Sequence, residues 1–122
     1  MALMTITITS LTDRADFVRL RNGKKATAAY FILRAAPSNI TTQTAARVGY
    51  TVTTKCGNAV VRNRIKRRLR ALVRDMFPTT ARAGHDYIII ARHEAKPGAA
   101  TVPITELREA MARAMANIHP DA

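Results

Sequence analysis

Acidic residues are scarce in this chain: 8 Asp and Glu stand against 20 Lys and Arg, a net charge of +12 over 122 residues. Such an imbalance repels itself in a compact state and implies a polyanionic partner, nucleic acid first and an anionic membrane surface second. Cysteine is nearly absent. Cys56 alone excludes an intrachain disulfide and suits a reducing compartment, so the expected location is cytoplasmic. Long apolar runs are also missing, which excludes a helix across a bilayer and argues against a membrane partner. Met1 to Ser10 alternates Thr and Ile and lacks the basic start of a signal peptide. Catalytic constellations are missing too. Asp13 and Asp16 share one helix edge and Glu106 and Glu109 another, each flanked by basic residues at the spacing of ordinary helix ion pairs. His85, His93 and His119 show no zinc spacing with Cys56. There is no glycine-rich phosphate loop and no nucleophile elbow. Neither a self-contained catalytic site nor a protein-bound metal is therefore expected.

What the chain has is one dense basic segment. Seven of the 20 Lys and Arg, namely Arg62, Arg64, Lys66, Arg67, Arg68, Arg70 and Arg74, fall within thirteen residues that contain no acid. On a helix, Val61, Ile65, Leu69, Leu72, Val73 and Met76 gather in a sector of roughly 120°. Asn63, Lys66, Arg67, Arg70 and Arg74 lie opposite, with Arg64 and Arg68 beside the apolar stripe. One face packs on a core and the other presents charge. Arginine offers a rigid fork of donors that fits phosphate oxygens. Asn63 both donates and accepts, so it suits a base edge or a 2′-hydroxyl. Taken singly, Arg62 or Arg64 can instead brace a helix end or a carboxylate such as Asp75.

The remaining elements read as a mixed α/β pattern. Ser10-Leu11-Thr12-Asp13 looks like a helix start, with the helix running to about Leu20 and ending at Asn22-Gly23. Ala28 to Arg34 reads as a strand buried on both faces, and Arg47 to Thr54 as an alternating strand. Gly57-Asn58 turns the chain and Asn58 caps the basic helix, which should stop before Pro78. Asp86 to Ala91 reads as a buried strand. Thr105 caps a last helix carrying Leu107, Met111, Ala114 and Ile118. The expected fold class is α+β: a single domain over residues 1–122, a small mixed sheet packed by about three helices, with 1–9 and 119–122 as flexible tails.

The segment from Arg47 through Gly57-Asn58 to Arg62-Asn63-Arg64-Ile65-Lys66-Arg67-Arg68-Leu69-Arg70 resembles the signature of the bacterial ribonuclease P protein family. Asp16-Phe17, Phe31-Ile32-Leu33 and Asp86 to Arg92 sit where that family has counterparts, so the likeness spans roughly residues 10 to 118. Two departures stand out. Thr54 replaces a usual lysine, and Cys56 replaces a usual β-branched residue, a swap that a small hydrophobe tolerates. The resemblance implies an α/β sandwich like the second domain of a small-subunit ribosomal protein, with a left-handed βαβ crossover that sequence pattern cannot show. It implies a protein subunit that binds a catalytic RNA, one to one, and assists removal of the 5′ leader from precursor tRNA. The RNA supplies the active site and its Mg2+.

Implied RNA-binding residues are Lys55, Arg62, Asn63, Arg64, Lys66, Arg67, Arg68, Arg70 and Arg74. Implied leader-cleft residues are Phe17, Tyr30 and Arg34. Phe17 lies about 100° from Val18 and off the apolar stripe of the first helix, so it either joins the core or stacks on a leader base. Tyr30, Ile32 and Arg34 share one face of their strand, but a one-residue slip reverses that face. Two other classes compete: a general RNA-binding or ribosomal protein, and a DNA-binding protein with a recognition helix. The latter needs a second helix packed just before the basic one, where this sequence offers a strand.

Overall fold

In a computed structural model, residues 5–40 and 42–120 are described. The elements run β1 (Ile8–Ser10), α1 (Arg14–Leu20), β2 (Lys24–Thr27), β3 (Phe31–Pro37), β4 (Ala46–Thr51), α2 (Ala59–Thr80), β5 (His85–Ala91) and α3 (Ile104–Ile118), with a 3-10 turn at Thr54–Cys56 before α2. The five strands form one mixed sheet in the order β1-β4-β5-β3-β2. β1 and β4 pair in parallel, as do β4 and β5, while β3 runs antiparallel to both β5 and β2. Helix α2 joins the parallel pair β4 and β5, which makes a βαβ unit.

Alternation in the strands sorts the two faces. Phe31, Leu33, Ala35, Val48, Tyr87 and Ile89 point to the side where α2 and α3 lay Ile65, Leu69, Leu72, Phe77, Leu107 and Met111 against them. Among the described elements the opposite side carries α1, whose Leu20 packs with Leu11 and Ile88. β5 is buried on both faces, as its continuous apolar run requires.

Several boundaries differ from the sequence reading, each for a local reason. β1 begins within the expected N-terminal tail, at Ile8, and His119 is buried within the expected C-terminal tail; residues 1–4 and 121–122 lie outside the described residues. The chain stays extended past Ser10 because Leu11 N–H donates to Val48 O at 3.0 Å. Helix α1 therefore starts later, capped by Asp13, whose carboxylate accepts from Ala15 N–H at 3.1 Å. β2 has no apolar alternation to announce it. It exists because the chain reverses at residues 28–31, where Ala28 N–H donates to Phe31 O at 2.9 Å. That turn moves the following strand from 28–34 to Phe31–Pro37. The basic helix runs through Pro78 to Thr80. Phe77 is fully buried, its ring edge-on to Tyr87 at 5.3 Å, and this packing outweighs the proline's bias against a helical predecessor. α3 begins at Ile104 after Pro103, with no side-chain cap from Thr105.

A buried ionic cluster fixes α1 on its face of the sheet. Asp86 on β5 is 0% exposed. Arg47 on β4 donates to it through a two-pronged fork, Nε to Oδ1 at 2.8 Å and Nη2 to Oδ2 at 2.7 Å. Arg19 on α1 also donates to Asp86 Oδ2, and reaches Asp16 Oδ1 at 3.2 Å and Pro37 O at 2.9 Å. The Asp16–Arg19 pair has the expected helix spacing, but it is one edge of this larger cluster.

Two substitutions separate the layers. Leu69→Ala, at a fully buried site, should cost about 2–5 kcal/mol. Asp86→Ala strands two guanidinium groups and should cost about 3–5 kcal/mol. Urea unfolding followed by circular dichroism measures both, and a loss below about 1 kcal/mol at either site contradicts the burial described.

Candidate nucleic-acid interface

Helix α2 begins at a turn built for it. Gly57 adopts φ 141°, outside the range that side chains favour, and a Cβ there would lie 3.0 Å from Val61 Cβ. Asn58 then caps the helix, its Oδ1 accepting from Val61 N–H at 3.0 Å. No acid stands in the first turn. The positive end of the helix dipole, the free amide hydrogens of the first turn, Lys55 and Arg62-Asn63-Arg64 thus coincide, an arrangement that attracts phosphate.

The two faces of α2 fall as the spacing predicts. Ile65, Leu69, Leu72, Val73 and Phe77 are buried, with Val61 and Met76 half-buried beside them. Asn63, Arg64, Arg67, Arg70 and Arg74 are exposed, as is Lys55 in the preceding turn, while Arg62 and Lys66 are half-buried. Among the described residues, none of Lys55, Arg62, Asn63, Arg64, Lys66, Arg67 or Arg74 has a side-chain hydrogen bond or ion pair. Asp75, a possible brace for Arg62 or Arg64, pairs with Arg108 on α3 instead. Arg62 braces no carboxylate, and its Nε is buried without a partner.

Arg68 differs from its neighbours. Its Nη1 donates to Ala99 O at 2.7 Å and its Nη2 to Val102 O. The side chain ties α2 to the segment leading into α3, so its donors face the protein. The sequence placed Arg68 beside the apolar stripe, which was the signal for this role.

The proposed cleft residues do not converge. Phe17 on α1 is half-buried and lies over Gly49 on β4, where a Cβ would sit 2.5 Å from Phe17 Cζ and 2.9 Å from Leu11 O. Only glycine allows that approach. The ring lines a groove of about 230 Å3 together with Gly49, Tyr50, Lys66 and Arg70. Arg34 is on the same face of the sheet but opposite Lys25 and beside Gly23, whose carbonyl accepts from its Nη1 at 3.5 Å. Tyr30 precedes the strand, so it does not share a face with Ile32 and Arg34 as the sequence reading had it. Its hydroxyl donates to Glu106 Oε2 on α3 at 2.8 Å, and its cleft, about 540 Å3, lies between the β2–β3 turn and α3. The bond to Glu106 holds its phenol above the usual range.

Tyr50 is the residue that sequence reasoning missed at this site. It alternates with Val48 and Val52 along the strand expected over Arg47 to Thr54. Its ring is only half-buried, and the Arg70 guanidinium lies 5.5 Å from the ring centroid. Burial pushes its phenol up to about 12, so it is a neutral donor at any ordinary pH. Among the described residues, no three His, Cys, Asp or Glu come together as metal ligands, and no helix is long and apolar enough to cross a membrane.

Comparison with known proteins follows the same lines. Residues 7–119 match the family model described as Ribonuclease P. The chain is 46% identical over 98 residues to the ribonuclease P protein component of Bartonella quintana, covering 77% of this chain and 74% of that one. It is 38% identical over 117 residues to the corresponding protein of Brucella suis, covering 87% and 77%. Among solved structures, the RNase P protein from Thermotoga maritima superposes with a TM-score of 0.72 at 26% identity, covering 85% of this chain and 92% of that one. The Staphylococcus aureus RNase P protein gives 0.69 at 26%, covering 87% and 91%.

The two kinds of arginine on α2 should separate in solution. Arg67→Ala should reduce the slope of log affinity against log salt for a nucleic-acid ligand by about 0.7–0.9 and leave the melting temperature unchanged. Arg68→Ala should lower the melting temperature and leave the slope unchanged. The reverse pattern, in paired binding titrations and thermal melts, would mean that Arg68 faces the ligand.

Proposed function

The chain belongs to the ribonuclease P protein family, and from that premise we propose that it is the RNA-binding subunit of ribonuclease P, gripping the catalytic RNA with α2 and the 5′ leader of precursor tRNA beside Phe17. The observation that carries this reading is the row of cations on α2 with no partner within the described protein. A folded domain keeps such a face when a polyanion covers it. Lys55, Arg62, Asn63, Arg64 and Arg67 surround the helix start and serve the catalytic RNA. Arginine forks take phosphate oxygens, and Asn63 takes a base edge or a 2′-hydroxyl.

The chemistry of cleavage belongs to the RNA in this proposal. The RNA subunit holds the Mg2+ ions and the reacting phosphate, and the protein binds one to one and positions the substrate. Cationic side chains replace part of the screening that packed RNA strands otherwise draw from Mg2+. The expected compartment is the cytoplasm, where precursor tRNA and a reduced Cys56 coexist.

Phe17 gives the leader its contact. The half-buried Phe17 ring, lining a groove with Lys66 and Arg70, accepts an unpaired base by stacking, which is worth about 1–3 kcal/mol. Mature tRNA has no such base upstream of the cleavage site. With holoenzyme assembled at saturating protein, Phe17→Ala should weaken precursor binding about five- to 150-fold and leave mature tRNA binding nearly unchanged. Equal losses for both substrates would return Phe17 to a packing role and remove the leader from this site.

A further inference from the structure

Strand β2 is the edge of the sheet far from β1, and among the described residues no strand pairs with its outer side. Its inner pairing fixes which groups face out. Ala28 N–H donates to Phe31 O at 2.9 Å, and the register sets Lys24 opposite Ala35 and Ala26 opposite Leu33. Hydrogen-bonded pairs in an antiparallel ladder fall on every second residue, so Lys24, Ala26 and Ala28 turn their backbone groups inward. Lys25 and Thr27 present N–H and C=O to the outside. An open edge of this kind is a template for one more strand.

Helix α3 turns that edge into a groove. It runs antiparallel to β2: Lys24 Nζ, at the start of the strand, donates to Ile118 O at 3.4 Å, and the Tyr30 hydroxyl, past its end, donates to Glu106 at 2.8 Å. Between them lies the cleft of about 540 Å3 that holds Tyr30, and its α3 wall includes the small side chains of Ala110 and Ala114, which leave it open. The turn on the other wall is braced. Arg92 Nη1 donates to Ala28 O at 2.9 Å, and Arg92 N–H donates to Tyr30 O at 3.0 Å. The groove is therefore formed before anything binds, which lowers the ordering cost of binding. Its charge runs one way. Glu106 and Glu109 stand towards Tyr30, and Arg113 and Lys24 towards the other end. Glu109 and Arg113 are about 6 Å apart along the helix axis. Both are exposed, and among the described residues neither has a hydrogen bond or ion pair.

We propose that the edge of β2 and the adjoining face of α3 form a docking site for an extended segment of a partner protein, which joins the sheet as one more strand antiparallel to β2. The segment carries a basic residue and, two positions later, an acidic one. Residues two apart on a strand share a face and lie about 7 Å apart, which matches the rise from Glu109 to Arg113. Antiparallel pairing brings the basic residue to Glu109 and the acidic residue to Arg113 and Lys24. Lys24 and Lys25 on the edge reject a strand with a basic residue in their register and admit one with an acid. A second copy of β2, Lys-Lys-Ala-Thr, has no acid to place there. Nucleic acid is disfavoured because Glu106 and Glu109 repel phosphate. The Phe17 groove and β1 lie towards the opposite edge of the sheet, so a protein that holds RNA there keeps β2 open.

The test uses the full chain, free and assembled with ribonuclease P RNA, and two capped peptides of equal composition, Thr-Val-Arg-Thr-Glu-Val-Thr and Thr-Val-Glu-Thr-Arg-Val-Thr. Saturation with the first peptide should slow amide hydrogen exchange at Lys25 and Thr27 and leave Lys24 and Ala26, already paired inward, unchanged. The second peptide should bind about fivefold more weakly. The double variant Glu109→Arg with Arg113→Glu, at two exposed positions, should reverse that preference, which a damaged fold would not do. Peptide affinity should be the same with RNA bound. No added protection at Lys25 and Thr27 at millimolar peptide overturns the proposal, as does equal binding of the two peptides. Protection of these amides that grows with protein concentration in the absence of peptide makes a second copy the occupant, against the proposal. Loss of the peptide on assembly with RNA assigns the edge to RNA and also overturns it.

Discussion

The carboxylate of Asp86, fully buried in the central strand β5, is the constraint on which the arrangement of this protein depends. An isolated charge in that position is prohibitively costly, so cations must be brought to it. One comes from the neighbouring strand through Arg47 and the other from helix α1 through Arg19. α1 has only seven residues and a small apolar contact of its own, too short to be stable by itself. The ionic cluster supplies its register on the sheet. With that register fixed, Phe17 lies over Gly49 and faces α2 across a groove. The same buried carboxylate that anchors a helix thus sets the width of the proposed leader site.

The rest of the acidic side chains explain the charge on α2. Asp13 caps α1, Asp16 joins the buried cluster, Asp75 pairs with Arg108, Glu94 with Arg92, and Glu106 accepts from Tyr30. None is placed against the start of α2. A protein with so few acids engages most of them elsewhere and leaves one helix face uncompensated. The apolar side of that helix is fully packed on the sheet, so the cations cannot turn inward to find partners. Arg68 is the exception that shows the rule: standing at the edge of the buried stripe, it reaches the carbonyls of Ala99 and Val102 and is held there.

Sequence pattern made the helix α2, its cap and both its faces readable, because burial repeating at helical spacing is a property of neighbours along the chain. The central strand β5 was readable for the same reason. The strands β1 and β2 were not: the Thr-Ile alternation before Ser10 becomes a strand only where β4 offers an edge to pair with, and β2 has no alternation of its own and exists through pairing with β3. The cleft was only partly legible. Phe17, off the apolar stripe of α1, is half-buried beside a groove, whereas Tyr30 was assigned to a face that the β2–β3 turn takes away from it. Tyr50 was hidden because an alternating aromatic residue looks like core. Its half-exposure follows from the early departure of β1 at Ser10, a long-range event that no local window records. The cluster of Asp16, Arg19, Arg47 and Asp86 joins residues far apart in sequence, and the spacing of Asp16 and Arg19 revealed just one of its contacts.

The central claim is that this protein is half of an RNA enzyme, holding RNA with a charged helix and leaving bond cleavage to the partner. The most direct measurement is cleavage of precursor tRNA at low Mg2+ by a ribonuclease P RNA, by the RNA-free protein, and by the two together. The account predicts slow cleavage by the RNA, none by the protein, and fast release of the leader when both are present. Magnesium-dependent cleavage by the RNA-free protein, or no stimulation on mixing, would contradict it.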